Sequence, residues 1–332
     1  MARMPEAAQL ATTPLDDPEG LVASFLFDAD GFTTTEIASQ RWSWRNYSLA
    51  DARGRRSIEN GGLLPDPVRE GLLAPDDALH IDYDEGWLHG AIGDAHHKHY
   101  SEAAEIGHFR FAFCDTALVS ARRHPLQSVD DVRRLVEQRK KAFRTPADLV
   151  ETIIALSFER FGSDLGAVGK ELDSIEDSIV GDTWHRERER LTAARRKLVF
   201  IHRQIAAASS LFRHLEHIQR SDLPDEIGDM ITRLSHRAIA LQHDSDQAQS
   251  RARLLQDELM AKLSAESNRL LYLLSVLTAV LLPMTIISGL FGMNVGGLPF
   301  LQEKFGFWIV SGVSLVVAVI VFAIVRSVGR RR

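Results

Sequence analysis

Apolar residues along this chain follow three different rhythms. As far as about residue 124 they come in short bursts, at 22–27, 78–83, 87–89, 109–113 and 117–120, with turn residues between them. Bursts of that length, rich in β-branched and aromatic residues, predict strands, while Gly61, Gly62, Pro65 and Pro67 predict a loop. The result is a mixed α/β domain over 21–125. After Arg123 the spacing lengthens to that of helices, predicted at 129–143, 146–161, 164–180 and 184–218, with Asp164 as a cap. A further helix starts near Ser221, where Pro224, Asp225 and Glu226 supply an early proline and an acidic first turn. From there apolar or small residues recur alternately four and three apart: Ile227, Ile231, Leu234, Ala238, Leu241, Ser245, Ala248, Ala252, Leu255, Leu259. Such a seven-residue pattern is a seam for packing against other helices. No Pro or Gly interrupts it from Ile231 through Leu263, so the pattern predicts one unbroken helix of roughly 65 residues, about 100 Å long.

In the last part of the chain the alternation with polar residues disappears. Residues 270–291 carry no charge, and neither do residues 306–325. A run of about 20 apolar residues rising 1.5 Å each crosses the roughly 30 Å hydrocarbon core of a bilayer. Two transmembrane helices joined by a short loop at 292–305 are therefore predicted. Residues 1–20 are polar and contain prolines, which predicts disorder and lacks the apolar stretch of a secretory signal. Lys262 and Arg269 precede the first span and Arg326, Arg330, Arg331 and Arg332 follow the second, whereas the loop holds only Lys304. Since short positively charged flanks stay inside, both termini are expected in the cytoplasm. The helical region 126–269 then forms a cytoplasmic stalk and 326–332 a basic cytoplasmic tail.

Composition changes this picture only when it is divided. The chain has 332 residues, 45% hydrophobic and 25% charged, an average that would suit soluble domains. Setting aside Glu303, Lys304 and the four tail arginines leaves 34 Lys+Arg against 44 Asp+Glu, a net −10 on residues 1–269. An acidic body followed by an apolar hairpin excludes a soluble enzyme and a nucleic-acid binder, which needs a basic face. The single cysteine, Cys114, has no internal disulfide partner, which excludes a disulfide scaffold and points to a reducing compartment for the large domain. No phosphate loop, HExxH pair, paired-cysteine zinc motif or nucleophile elbow occurs, so nothing supports an enzyme.

Candidate metal ligands all precede residue 270. The densest group is His96, His97 and His99, with His89 and His108 nearby; His214 and His217 lie three apart on a helix, and His236 and His243 seven apart near Asp244 and Asp246. Imidazole suits zinc, yet the more ordinary reading of each set is polar surface, and of Cys114 beside His108 it is core. Within the first span the polar residues are Ser275, Thr278, Thr285 and Ser288. They either bond back to their own helix or, for Thr278 and Thr285 seven apart on one face, present dipoles to a hydrated cation in a ring of copies.

The end of that span carries a resemblance. Pro283, Thr285, Gly289 and Phe291-Gly292-Met293-Asn294 resemble the signature of the CorA family of divalent-cation transport proteins, in which Gly-Met-Asn closes the first of two C-terminal membrane helices. Val295-Gly296-Gly297 and Gly306-Phe307-Trp308 are similar to the ZntB zinc-transport branch of that family. The resemblance implies a funnel-shaped homo-oligomer, a pentamer, in the bacterial inner membrane. It implies transport of Zn2+ by preference, with Mg2+, Co2+, Ni2+ and Cd2+ as the related cargo and with proton coupling and direction left open. It places Thr285 and Asn294 in the pore and Asn268 at its cytoplasmic mouth, and makes Gly292 and Met293 part of the outer end, with Leu274 and Leu281 or Leu282 as an apolar constriction. By spacing alone, Asn294 reads rather as a helix C-cap, and the resemblance is what favours the pore mouth. Two rivals remain: a magnesium or cobalt channel of the same fold, and a membrane-anchored coiled-coil sensor or scaffold that transports nothing.

Overall fold

The computed structural model describes residues 20–74, 79–94, 107–181, 186–218, 223–293 and 305–329. By contact it divides into two units, residues 1–253 and 254–332.

The first unit begins with a seven-stranded sheet: β1 (Leu21–Phe27), β2 (Thr33–Thr34), β3 (Trp42–Ser48), β4 (His80–Asp84), β5 (Trp87–Asp94), β6 (Gly107–Phe113) and β7 (Ala117–Arg122). Their spatial order is β2-β1-β3-β7-β6-β5-β4. All neighbours are antiparallel except β3 and β7, which pair in parallel with Trp44 opposite Leu118. Strand β3, absent from the strands predicted by sequence, stands near the middle of the sheet. Its inward positions are Trp42, Trp44 and Asn46, all fully buried. Trp44 Nε1 donates to Ser120 Oγ at 2.8 Å and Ser120 Oγ donates to Asn46 Oδ1 at 3.1 Å, so a chain of two hydrogen bonds takes up the indole, hydroxyl and carbonyl groups that blur the hydrophobic alternation, while Asn46 Nδ2 has no partner among the described residues. Strand β5 also reaches beyond its predicted 87–89: Gly90, Gly93 and Asp94 weaken its pattern, yet all eight residues are buried. Glu85 (φ 51°) and Gly86 (φ 84°) join β4 to β5 in a two-residue hairpin whose left-handed turn matches the twist of the strands.

Both faces of the sheet are covered. Helices α1 (Ala52–Asn60) and α2 (Asp66–Leu73) place Ile58, Val68 and Leu72 on Trp87, Ala112, Val119 and Ala121. The predicted loop is shorter than expected here, because Pro67 lies within the first turn of α2, where its missing N–H costs nothing. The opposite face presents Phe109, Phe111 and Phe113 in a stacked row, and Trp42 donates to Phe143 O at 3.2 Å. Each such aromatic, fully withdrawn from water, contributes about 2–3 kcal/mol. Helix α3 (Gln127–Glu137) begins at Asp94, whose carboxylate accepts Ser128 N–H at 3.1 Å and Ser128 Oγ at 2.7 Å. It ends well before the predicted 143, because Arg139 turns left-handed (φ 50°) and Lys140 N–H closes back on Leu135 O at 3.0 Å.

Helix α4 (Pro146–Val180) is one element where two were predicted. Asp164 does not cap it: Phe161, Leu165, Val168, Leu172, Ile175 and Ile179 keep a helical spacing straight across Gly162 and Ser163. Glycine at 162 answers a packing demand, since a Cβ there would come within 3.2 Å of Leu241 Cδ2. Helix α5 (Glu187–Ile218) follows, and then α6 (Asp225–Gly292), a single helix of 68 residues. In the seam read from the sequence, Ile227, Ile231, Leu234, Ala238, Ser245, Ala252, Leu255 and Leu259 are buried. Within the first unit α6 is fastened to α4 by ion pairs: Arg233 to Glu151 at 2.7 Å, and Arg251 to Glu176 and Asp173. Hydrogen bonds to these carboxylates raise the pKa of both guanidinium groups.

The second unit holds the last part of α6 and helix α7 (Gly306–Gly329). Both helices are long and apolar enough to cross a membrane.

Candidate functional site

Beyond Leu270 helix α6 has hydroxyls and no charge. Ser275 Oγ donates to Leu271 O at 2.8 Å, Thr278 Oγ1 to Leu274 O at 2.9 Å, and Thr285 Oγ1 to Leu282 O at 2.8 Å and Leu281 O at 3.2 Å. Each hydroxyl hydrogen is thus satisfied by its own helix, while the oxygen keeps lone pairs for a cation or its water. Pro283 lies inside the helix and has no N–H for Ala279 O, and the Thr285 hydroxyl is shared between two carbonyls of the turn beside that gap. The face matters as much as the bonding. Val276, Val280, Pro283, Ile287 and Phe291 are partly shielded and form one stripe; Thr278, Thr285, Leu274, Leu281 and Leu282 lie on the opposite, exposed side. A Cβ added at Gly289 or Gly292 would meet no atom within 4 Å, so no packing among the described residues calls for glycine at either position.

Gly292 ends α6 and Met293 follows it, 47% exposed, with its N–H on Leu290 O at 3.4 Å. Asn294 lies outside the described residues, as do His96, His97 and His99. Asn268 is exposed on α6, before the apolar segment. His214 and His217 are exposed on α5, and His236 and His243 are exposed on α6. Glu216, between the first pair, accepts a bond from Ser235 Oγ at 3.1 Å across to α6. Cys114 is half-buried just past β6, its sulfur 3.6 Å from Thr116 Oγ1. Among the described residues no three His, Cys, Asp or Glu side chains gather closely enough to hold a metal ion together.

Two polar arrangements were not foreseen from the sequence. His202 Nδ1 lies 3.2 Å from Ser245 Oγ and 3.4 Å from Asp246 Oδ1, which accounts for a serine in the apolar seam. On the sheet, His89 is buried with Nε2 3.0 Å from Asp84 Oδ2, and the His80 ring stands 6.3 Å away, edge-on. The sequence signal for the second was the alternation His80, Asp82, Asp84 before a two-residue hairpin, which places all three on one face of an edge strand.

The family model described as "CorA-like Mg2+ transporter protein" matches residues 39–331, nearly the whole chain and both apolar helices. The chain belongs to the CorA family. Among CorA relatives, the zinc transport protein ZntB of Yersinia enterocolitica is 25% identical over 295 residues, covering 86% of this chain and 88% of that protein. The divalent cation transporter CmaX of Pseudomonas aeruginosa is 25% identical over 193 residues, 58% of either chain. The solved full-length CmaX structure has the same fold, with a TM-score of 0.77 at 20% identity, over 94% of this chain and 100% of that one. The CorA magnesium transporter of Methanocaldococcus jannaschii superposes with a TM-score of 0.74 at 17% identity, over 91% of this chain and 97% of that one. The CorA fold is thus an N-terminal α/β domain, long helices and two C-terminal apolar helices, as the sequence predicted.

Proposed function

We propose that this protein carries divalent metal cations, zinc by preference, across the bacterial inner membrane through a pore formed by a homo-oligomer, a pentamer, with the membrane half of α6 lining it. The observation that carries the reading is the exposed face of α6. Thr278 and Thr285 occupy it with lone pairs outward, and Gly289 and Gly292 on the same helix have open space where a side chain would stand. One two-helix hairpin encloses no channel, and cyclic copies of it do. In such a ring the threonine oxygens face an axis, where dipoles receive a hydrated cation without an intramembrane charge. Leu274, Leu281 and Leu282 border them as an apolar constriction, Asn268 marks the cytoplasmic mouth, and Gly292, Met293 and Asn294 the outer one. Both termini lie in the cytoplasm.

Zinc preference rests on the likeness to ZntB and on an outer loop with one acid, Glu303, next to Lys304. The family description and the archaeal relative support magnesium as the second reading. Flux of Zn2+, Mg2+ and Co2+ into proteoliposomes, with and without a pH gradient, separates the two. A zinc carrier moves Zn2+ faster than Mg2+, and Asn294→Ala or Thr285→Val lowers that flux by about ten-fold or more, since every copy in the ring loses its polar contact with the hydrated cation. Magnesium flux without zinc flux overturns the cargo, and no flux of any divalent cation overturns transport.

A further inference from the structure

His89 is an imidazole of the N-terminal domain whose surroundings resemble those of a ligand. Its side chain is 5% exposed, Nε2 faces Asp84 Oδ2 at 3.0 Å, and among the described residues Nδ1 has no hydrogen-bond partner. A carboxylate on one ring nitrogen holds the proton there and leaves the other nitrogen with a lone pair, which is how metal-bound histidines are oriented from behind. That lone pair is withdrawn from water without a partner, so the arrangement calls for something to bind it.

The second imidazole stands beside it. His80, half-buried on edge strand β4, is on the same face of the sheet, one register step away: His80 pairs with Ala91 and Asp82 with His89. Gly71 of α2 lies over both rings. A Cβ at Gly71 would sit 2.8 Å from His89 Nδ1 and 3.6 Å from His80 Nε2, so both nitrogens approach the same point of α2 and the missing side chain is what lets the His89 ring come so close. Two imidazoles on one tetrahedral metal, with metal–nitrogen bonds near 2.0–2.1 Å, have ring centres about 5 Å apart. The observed separation is 6.3 Å, and a modest rotation of the half-buried ring on the edge strand closes the difference.

We propose that His80 and His89 bind a late first-row divalent cation, of the Zn2+ class, between β4 and α2, with Asp84 as the positioning residue behind His89 and water completing the coordination. Neutral imidazole selects such cations over Mg2+ and Ca2+, which take oxygen ligands. The buried guanidinium of Arg110, which donates to Leu72 O at 3.4 Å next to Gly71, opposes any dication and the Asp84 carboxylate offsets it. The result is a site of modest affinity, as suits a sensor more than a permanent structural metal. It does not depend on transport by the membrane helices.

The test is a Co2+ titration of the chelator-treated full-length protein in detergent, read by visible absorption, with the metal per chain counted after gel filtration. The wild type is expected to give a tetrahedral nitrogen-ligated spectrum that His80→Gln abolishes and Asp84→Asn weakens at least ten-fold, while His214→Gln leaves it unchanged. Gly71→Ala, whose methyl group would force the His89 ring to shift, is expected to abolish it too. His80→Gln carries the result if His89→Gln fails to fold, since His80 is half-buried. An unchanged spectrum and stoichiometry in both His80→Gln and Gly71→Ala overturns the site. Zn2+ flux of His80→Gln in proteoliposomes distinguishes this site from the pore: a lost spectrum with flux retained supports a metal site separate from transport, and an unchanged spectrum in a chain that transports nothing overturns both.

Discussion

Single polar residues fix geometry in this protein where the apolar pattern leaves it open. Asp94 is the clearest case: buried at the end of β5, it accepts both the backbone and the hydroxyl of Ser128 and so starts α3 from another element. Neither hydrogen bond follows the local rules for helix caps, because the capping residue lies 34 positions earlier in the chain. Replacing Asp94 with Ala leaves two donors of a fully buried serine unsatisfied, and the expected loss is about 2–3 kcal/mol. Thermal unfolding in detergent would register it as a lowered midpoint for Asp94→Ala, with Asp94→Asn recovering part of the loss through its remaining acceptor. An unchanged midpoint in Asp94→Ala would remove the cap from the account of α3. Long-range pairing hid functional residues in the same way. His80 and His89 become neighbours only through strand pairing, whereas sequence spacing sets His89 beside the group at 96–99 and draws attention to the histidines at 214–217 and 236–243, which are exposed.

At the scale of elements, legibility followed periodicity. The seam of α6 was readable because a period of seven over ten positions is a strong signal, and burial follows it from Ile227 to Leu259. Strand β3 was missed because a buried Asn and two Ser interrupt seven residues, too few for the pattern to assert itself, although alternating Trp42 and Trp44 were the available clue. Helix α4 was divided in two because Gly162, Ser163 and Asp164 resemble a stop followed by a cap; what overrides them is the apolar face that continues on either side and the close approach of Leu241. The seam makes a sharp prediction. Leu234 is fully buried and Leu254 is 69% exposed on the same helix. Leu234→Ala is expected to cost about 2–5 kcal/mol, whereas Leu254→Ala falls within about 0.5 kcal/mol of wild type. Equal effects on the unfolding midpoint would mean that the face of α6 packed in the single chain is not the one that stabilises the protein.

For the molecule as a whole, the decisive quantity is where charge stops. A net −10 lies on residues 1–269 and the two apolar runs follow, and α6 passes from one composition to the other without a break. That division was legible from the sequence because a bilayer imposes its own length on a helix, and the number of copies was not, since a ring interface is written in faces that a single chain leaves bare. Orientation is the part of the whole-molecule reading that the chain lets one test with its own chemistry. Cys114, half-buried beside β7, is the sole cysteine, so a membrane-impermeant maleimide has one native target. If the short basic flanks keep both termini inside, intact spheroplasts leave Cys114 unlabelled and inverted vesicles label it at a rate set by its partial burial. A Cys114→Ser chain carrying Gln302→Cys in the loop between the spans should show the reverse, labelling from outside. Labelling of Cys114 in intact spheroplasts would invert the topology, place the acidic domain outside the cell, and turn its charge from a cytoplasmic feature into a collecting surface for cations at the pore entrance.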